Sequence, residues 1–267
     1  MRNRDLFLVL MSVLLASSCT KNTLTGKSQL SLVSEKEMQS MSALQYQEFL
    51  KTNKVIASSN TNAMMVQRVG KKISDAVDKY FTDKGNKSVL NGYAWEYNLV
   101  KDSAVNAWCM PGGKIVVYTG ILPVTMNETA LAIVMGHEVS HALLQHGNQR
   151  MSESLIQQLG GVALSVAIAK KPTETQDLFM KAYGIGSEVG VMLPFSRKQE
   201  LEADKYGLIW AAMAGYNPNE AIPFWERMQK LSAGQAPPEF LSTHPSDATR
   251  IQKLKEYLPE ALKYYGK

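Results

Sequence analysis

Between Leu131 and Leu144 the chain reads LAIVMGHEVSHALL, an apolar run of helical length with His137, Glu138 and His141 set inside it. A carboxylate and two imidazoles on such a helix go into the interior with it. Burial of groups like these is unfavourable unless they are paired or bound to a metal. The rest of the fold therefore has to bring them partners.

Four residues along a helix is a full turn plus about 40° of rotation, so the rings of His137 and His141 project from one face. Both can hold one metal ion there, with Glu138 beside the open coordination position as a base for water. A chance match to this pentapeptide arises in on the order of one chain in a hundred of this length. His146, nine residues after His137, falls about half a turn away on a continued helix. It reads as a structural histidine at a helix C-terminus, where the dipole favours it. With four histidines in the chain, the third protein ligand is His244 or a carboxylate. Glu200 and Asp204, four apart in SRKQELEAD (196–204), share a helical face. Glu200 is the candidate to complete a His-His-Glu zinc site, with Asp204 accepting the free ring N–H of one ligand. Glu202 points about 200° away from Glu200 on that helix and reads as solvated or ion-paired.

Gly136-His137-Glu138-Val139-Ser140-His141, followed by Ser196-Arg197 and by Glu200-x-x-Ala203-Asp204, resembles the zinc metalloproteases of the CAAX prenyl protease, HtpX and BepA type. Asn106 to Ile115, with Asn-Ala-Trp ahead of Pro-Gly-Gly, is similar to the same family. The matched motifs run from about Asn106 to Arg250. Multiple transmembrane helices and a tetratricopeptide extension are missing, so the resemblance is to compact lipoprotein members. It implies a zincin-type fold, one zinc ion held by His137, His141 and Glu200, and Glu138 as general base. It also implies that Asn106, Ala107 and Trp108 belong to an edge strand on which a substrate's main chain pairs. The alternative for Trp108 and Tyr118 is ordinary sheet core. A His and an Arg in a similar His-Pro context lie near the metal in that family. By this resemblance His244 stabilises the oxyanion or fills the open metal position in a latent state, with Arg250 nearby; otherwise His244 is a loop residue before a proline.

The N-terminus reads as an export signal over 1–18: Arg2 and Arg4, an apolar run from Leu6 to Leu15, then small residues before Cys19. The apolar run is short for a bilayer span. Cys19 is the candidate lipidation site, residues 19–33 a polar tether, and 34–267 a single domain. Cys109, the other of two cysteines, reads as a small buried residue.

Helices are expected from the Ser34–Glu37 capping box to about Lys51, over Thr61–Phe81, over Asn127–His146 with Gly147 as C-terminal cap, from Ser196 to near Gly215, from Asn217-Pro218, and from about Ser246. Residues 154–169 carry no charge and read as a buried or partner-covered helix. Strand signals at Tyr93–Val100, Asn106–Met110 and Lys114–Thr119 suggest a small antiparallel meander.

The expected fold is α+β and predominantly helical. The expected activity is zinc-dependent endopeptidase action on unfolded or misassembled proteins of a bacterial cell envelope. The expected address is lipid-anchored, on the periplasmic face of the outer membrane. Two rivals stand beside it: a latent or chaperone-like zinc-binding assembly factor, and a membrane-associated binding protein using residues 154–169. A net charge of +5 from 29 basic and 24 acidic residues, without a dense basic block, gives nucleic-acid binding little support.

Overall fold

The computed structural model describes residues 19–159, 172–183, 185, 195–232, 238–245 and 248–267. The expected export signal at 1–18 and residues 160–169 of the uncharged stretch lie outside them. The chain is α+β and mainly helical, as expected.

Strands β1 (Cys19–Lys21) and β2 (Ser28–Leu30) form an antiparallel hairpin. Helices α1 (Glu35–Thr52) and α2 (Thr61–Asp83) follow, then β3 (Glu96–Val100), β4 (Ala107–Met110) and β5 (Lys114–Tyr118). A short turn of helix, α3 (Leu122–Thr125), leads to α4 (Glu128–Leu143) and α5 (His146–Leu159). Then come α6 (Pro172–Ala182), α7 (Arg197–Met213), α8 (Ala221–Ser232), α9 (Glu239–Thr243) and α10 (Ala248–Leu262). Both expected capping boxes are present, at Ser34 with Glu37 and at Ser196 with Gln199.

The three-stranded sheet has order β3-β5-β4. Strands β4 and β5 pair antiparallel, as a hairpin through Pro111-Gly112-Gly113 must, but β3 lies parallel to β5. The simple meander is therefore corrected. Residues 101–106 carry the chain past the central position, and the β-branched strand β5, buried along its length, returns between the other two. Alternation then sorts the side chains. Leu99, Ala107, Cys109, Ile115 and Val117 join the core under α2 and α4. Val100, Trp108, Met110, Val116 and Tyr118 join a second core with Met38 and Tyr46 of α1 and Phe179 of α6.

Residues 19–33, expected as a polar tether, are docked on the body. Asn22 Nδ2 donates to the Leu143 carbonyl at 3.3 Å and Asn148 Nδ2 to that of Val33 at 2.7 Å. The Leu32 amide donates to Ser152 Oγ at 2.9 Å, and the Tyr206 hydroxyl to the Leu24 carbonyl at 2.6 Å. Polar composition suited a tether, but here Asn22 satisfies a carbonyl at the end of α4, and the Val33 and Leu24 carbonyls accept from side chains of α5 and α7. Among the described residues no helix is long and apolar enough to cross a membrane.

Candidate active site

Helix α4 starts at Asn127, whose side chain accepts from the Ala130 amide at 2.8 Å. Every residue from Ala130 to Leu143 is buried. The helix stops earlier than expected. Gln145 takes the left-handed conformation (φ 58°), and His146 opens α5 in a new direction. Gly147 is small for a different reason: a Cβ there would stand 2.1 Å from the Tyr183 ring.

Helix α7 crosses α4 backbone to backbone at Gly136 and Gly207. A Cβ on Gly136 would lie 2.8 Å from the Gly207 carbonyl oxygen, and one on Gly207 would lie 2.8 Å from the His137 amide. This crossing brings the first two turns of α7, with Glu200 and Asp204, against the His137 face. Gly136→Ala is expected to force the helices apart. It should destabilise the fold by about 1–3 kcal/mol through overpacking and weaken metal binding in parallel. Denaturant unfolding checks the first effect and metal titration the second; a variant matching wild type in both would refute the tight crossing.

Four buried donors converge. His137 Nε2 lies 3.0 Å from His141 Nε2 and 3.2 Å from His244 Nδ1. Glu200 Oε1 lies 3.4 Å from His141 Nε2 and 3.0 Å from His244 Nδ1. All four residues offer ligand atoms within 4.8 Å of one another. A tetrahedral zinc with bonds near 2.0–2.1 Å sets its donors about 3.3 Å apart, so this nitrogen-rich set fits that ion. Ring nitrogens facing one another at 3 Å in the interior are otherwise poorly explained, because each imidazole has few protons to share.

The surrounding charges orient this set. His137 Nδ1–H donates to Asp204 Oδ1 at 2.9 Å. Arg250 forks onto Asp204, with Nε to Oδ2 at 2.7 Å and Nη2 to Oδ1 at 2.8 Å, and reaches Glu200 Oε2 through Nη1 at 2.7 Å. Its guanidinium stacks on Trp225 at 3.6 Å. Burial alone would raise both carboxyls, but Arg250 and the histidines hold Glu200 well below, and Asp204 below, the ordinary range. Burial holds His141 well below its usual value, which leaves the ring neutral for a metal. The same burial opposes protonation of His137, but Asp204 and Glu200 draw it up to about 9.

Glu138 is buried beside the cluster, and Oε1 makes no hydrogen bond among the described residues. Burial pushes its carboxyl up to about 8. His244 Nε2 stands 3.5 Å from that oxygen, so the His244 ring lies between Glu138 and the donor cluster. That ring is packed between Phe195 and Phe240, at centroid distances of 4.9 and 4.4 Å, and burial lowers its pKa to about 4.

The structure thus brings together His137, Glu138, His141, Glu200, Asp204, His244 and Arg250. Strand β4 runs against α4, and Cys109 is close enough to Glu138 for its thiol to feel that charge; burial is the larger cause pushing the thiol up. The Trp108 side chain is sheet core: it meets Phe49 and Tyr46 edge-on at 5.0 and 6.2 Å. Ala107 packs into the core under α4. Asn106 Nδ2 donates to Glu239 Oε1 at 2.8 Å, which leaves main chain as what this edge can offer. Sequence reasoning missed His146. It is not at the end of the metal helix but at the start of α5, with Nδ1 2.9 Å from His141 Nδ1. Phe195, stacked on His141 at 3.7 Å, was also missed. No sequence signal marks either one.

An interior cluster of two histidines one turn apart, a glutamate from a second helix and a free carboxylate beside them defines the zinc metallopeptidase class. The chain belongs to peptidase family M48, whose profile matches residues 38–258. It is 37% identical over 176 residues to the mitochondrial metalloendopeptidase OMA1 of Schizosaccharomyces pombe, covering 65% of this chain and 50% of that protein. To the human mitochondrial metalloendopeptidase OMA1 it is 30% identical over 249 residues, covering 90% and 46%. A putative beta-barrel assembly-enhancing protease of Vibrio cholerae is 27% identical over 193 residues, covering 69% and 40%. The chain spans about half the length, or less, of these relatives. The similarity supports M48 as a whole rather than the narrower CAAX prenyl protease or HtpX type. The expected address on a bacterial outer membrane is overturned, since the mitochondrial relatives point away from it.

Proposed function

We propose that the chain is a zinc-dependent endopeptidase that cuts extended segments of unfolded or misassembled polypeptides. The observation that carries this reading is the buried donor set of His137, His141 and Glu200 with Glu138 at its side, one of whose carboxylate oxygens makes no hydrogen bond among the described residues. A purely structural metal has no use for such a base. When bound, zinc supplies Lewis-acid polarisation of a carbonyl and activation of water. Glu138 takes a proton from the attacking water and returns it to the leaving amine. Asp204 fixes the His137 ring through Nδ1, and Arg250 keeps Asp204 and Glu200 ionised and in place. The outer edge of β4 offers main-chain groups to an extended peptide. Recognition of that kind favours unfolded segments with loose sequence preference.

His244 supports a latent state within this reading. Its Nδ1 stands where a fourth donor belongs, so the ring has to leave before substrate enters. Attachment to a membrane through an acyl group on Cys19 is a further part of the proposal, tested by labelling with a fatty acid and its loss in Cys19→Ala.

The decisive test uses the full chain with unfolded casein and quantified zinc. Wild type is expected to bind one zinc and cut, and Glu200→Ala to lose both. His244→Ala is expected to cut faster; unchanged cleavage with unchanged zinc would discard its gating role. Zinc-loaded wild type and His244→Ala that are both inert would favour the assembly-factor reading. Absence of zinc binding would remove the protease reading altogether.

A further inference from the structure

The two histidine ligands are supported in different ways. His137 leans on a carboxylate through Asp204, whereas His141 leans on a third histidine. With its Nε2 facing the donor cluster, His141 has its proton on Nδ1, and 2.9 Å away is Nδ1 of His146. That atom can only accept, so the His146 proton sits on Nε2. Nε2 faces Glu202 Oε2 at 3.5 Å without forming a hydrogen bond, and Glu202 Oε1 accepts from Lys27 Nζ at 2.8 Å. Lys27 belongs to the turn of the N-terminal hairpin, before β2. The line His141, His146, Glu202, Lys27 thus runs from the metal site to the docked hairpin.

We infer that His146 is a positioning residue for the metal: it accepts the Nδ1–H of His141 and fixes that ring with Nε2 toward the ion. The inference rests on the proposed metal site. Three features of the structure carry it. His146 is fully buried, so its ring does not exchange its partner for water. Its ring is crossed at 5.0 Å by that of His141 and flanked by Phe195, which stacks on His141 on one side and meets the Arg150 guanidinium at 3.2 Å on the other. The left-handed Gln145 is the device that makes this contact. On a continuous helix His146 would point away from the site; the reversal turns it back onto the ring of His141.

Partners that orient metal-ligating histidines typically contribute 10- to 100-fold in metal affinity. The test is zinc affinity by chelator competition on the full chain, for wild type, His146→Ala, His146→Leu and His146→Asn. Asparagine places an oxygen near the position of the histidine Nδ1 and can accept in its place. Alanine and leucine are expected to bind zinc at least tenfold more weakly, and asparagine to recover most of that loss. Leucine fills the space, so it keeps the test open if alanine fails to fold, and circular dichroism of the chelated proteins reads folding directly. An affinity within threefold of wild type for alanine or leucine would overturn the role. So would an asparagine variant as weak as alanine, since the loss would then be packing. Wild type that binds no zinc would instead sink the metal site itself.

Discussion

Glu138→Gln is expected to lower peptide hydrolysis by about 10²- to 10⁴-fold while zinc stays bound. Glutamine has the shape of glutamate but cannot take a proton at neutral pH. The change sits one residue from His137 yet outside the donor set of His137, His141, Glu200 and His244, so metal content should not follow activity. Stability should hold or rise, because a buried amide is less unfavourable than a buried carboxylate with no hydrogen bond on one oxygen. Casein cleavage and zinc analysis on the same preparation decide the matter. Activity within tenfold of wild type would place the base elsewhere, and loss of zinc would make Glu138 a ligand.

Arg250→Ala is the substitution with the largest expected effect on stability, a loss of about 3–5 kcal/mol. Arg250, Asp204 and Glu200 are all at most 3% exposed, so removing the guanidinium leaves two carboxylates in the interior with their principal cation gone. The stacking on Trp225 is lost with it. Arg250→Lys should recover little, because an ammonium cannot reproduce the two-pronged grip on Asp204. Urea unfolding of the chelated proteins reads the effect without contribution from metal. A loss below about 1 kcal/mol would mean that the carboxylates find other partners and that Arg250 is not their clamp.

Much of this site was legible from residue order. The apolar run around His137, Glu138 and His141 demanded partners, and the spacing of Glu200 and Asp204 supplied two of them on one helix face. Both capping boxes marked real helix starts, since capping is a local matter between residues three apart. What sequence reasoning missed depends on where the chain turns. Nothing in Gln145 advertises a left-handed residue, because the residue type that favours that conformation is glycine and the nearby glycine, Gly147, serves packing. Continuing α4 as a straight helix therefore sent His146 to the wrong side. The parallel placement of β3 was hidden for a related reason: strand signals carry alternation but not order within a sheet. Polar composition at 19–33 looked like a tether because nothing in it shows that its polar groups would pair with α4, α5 and α7. Arg250 acts on Asp204 across 46 residues of sequence, and only family resemblance hinted at it.

The bare crossing of α4 and α7 has a mechanical side. With no side chain between Gly136 and Gly207, the two main chains touch and serve as a fulcrum. Repacking of the core elsewhere will tilt one helix over the other about that point rather than draw them apart. His137 sits next to the fulcrum and Asp204 less than one turn from it, so their contact should be the last to open. Glu200 lies nearly two turns along the lever arm and will swing furthest for a given tilt. Mild damage anywhere in the core should therefore register first as a slackened Glu200, with His137 and Asp204 still joined.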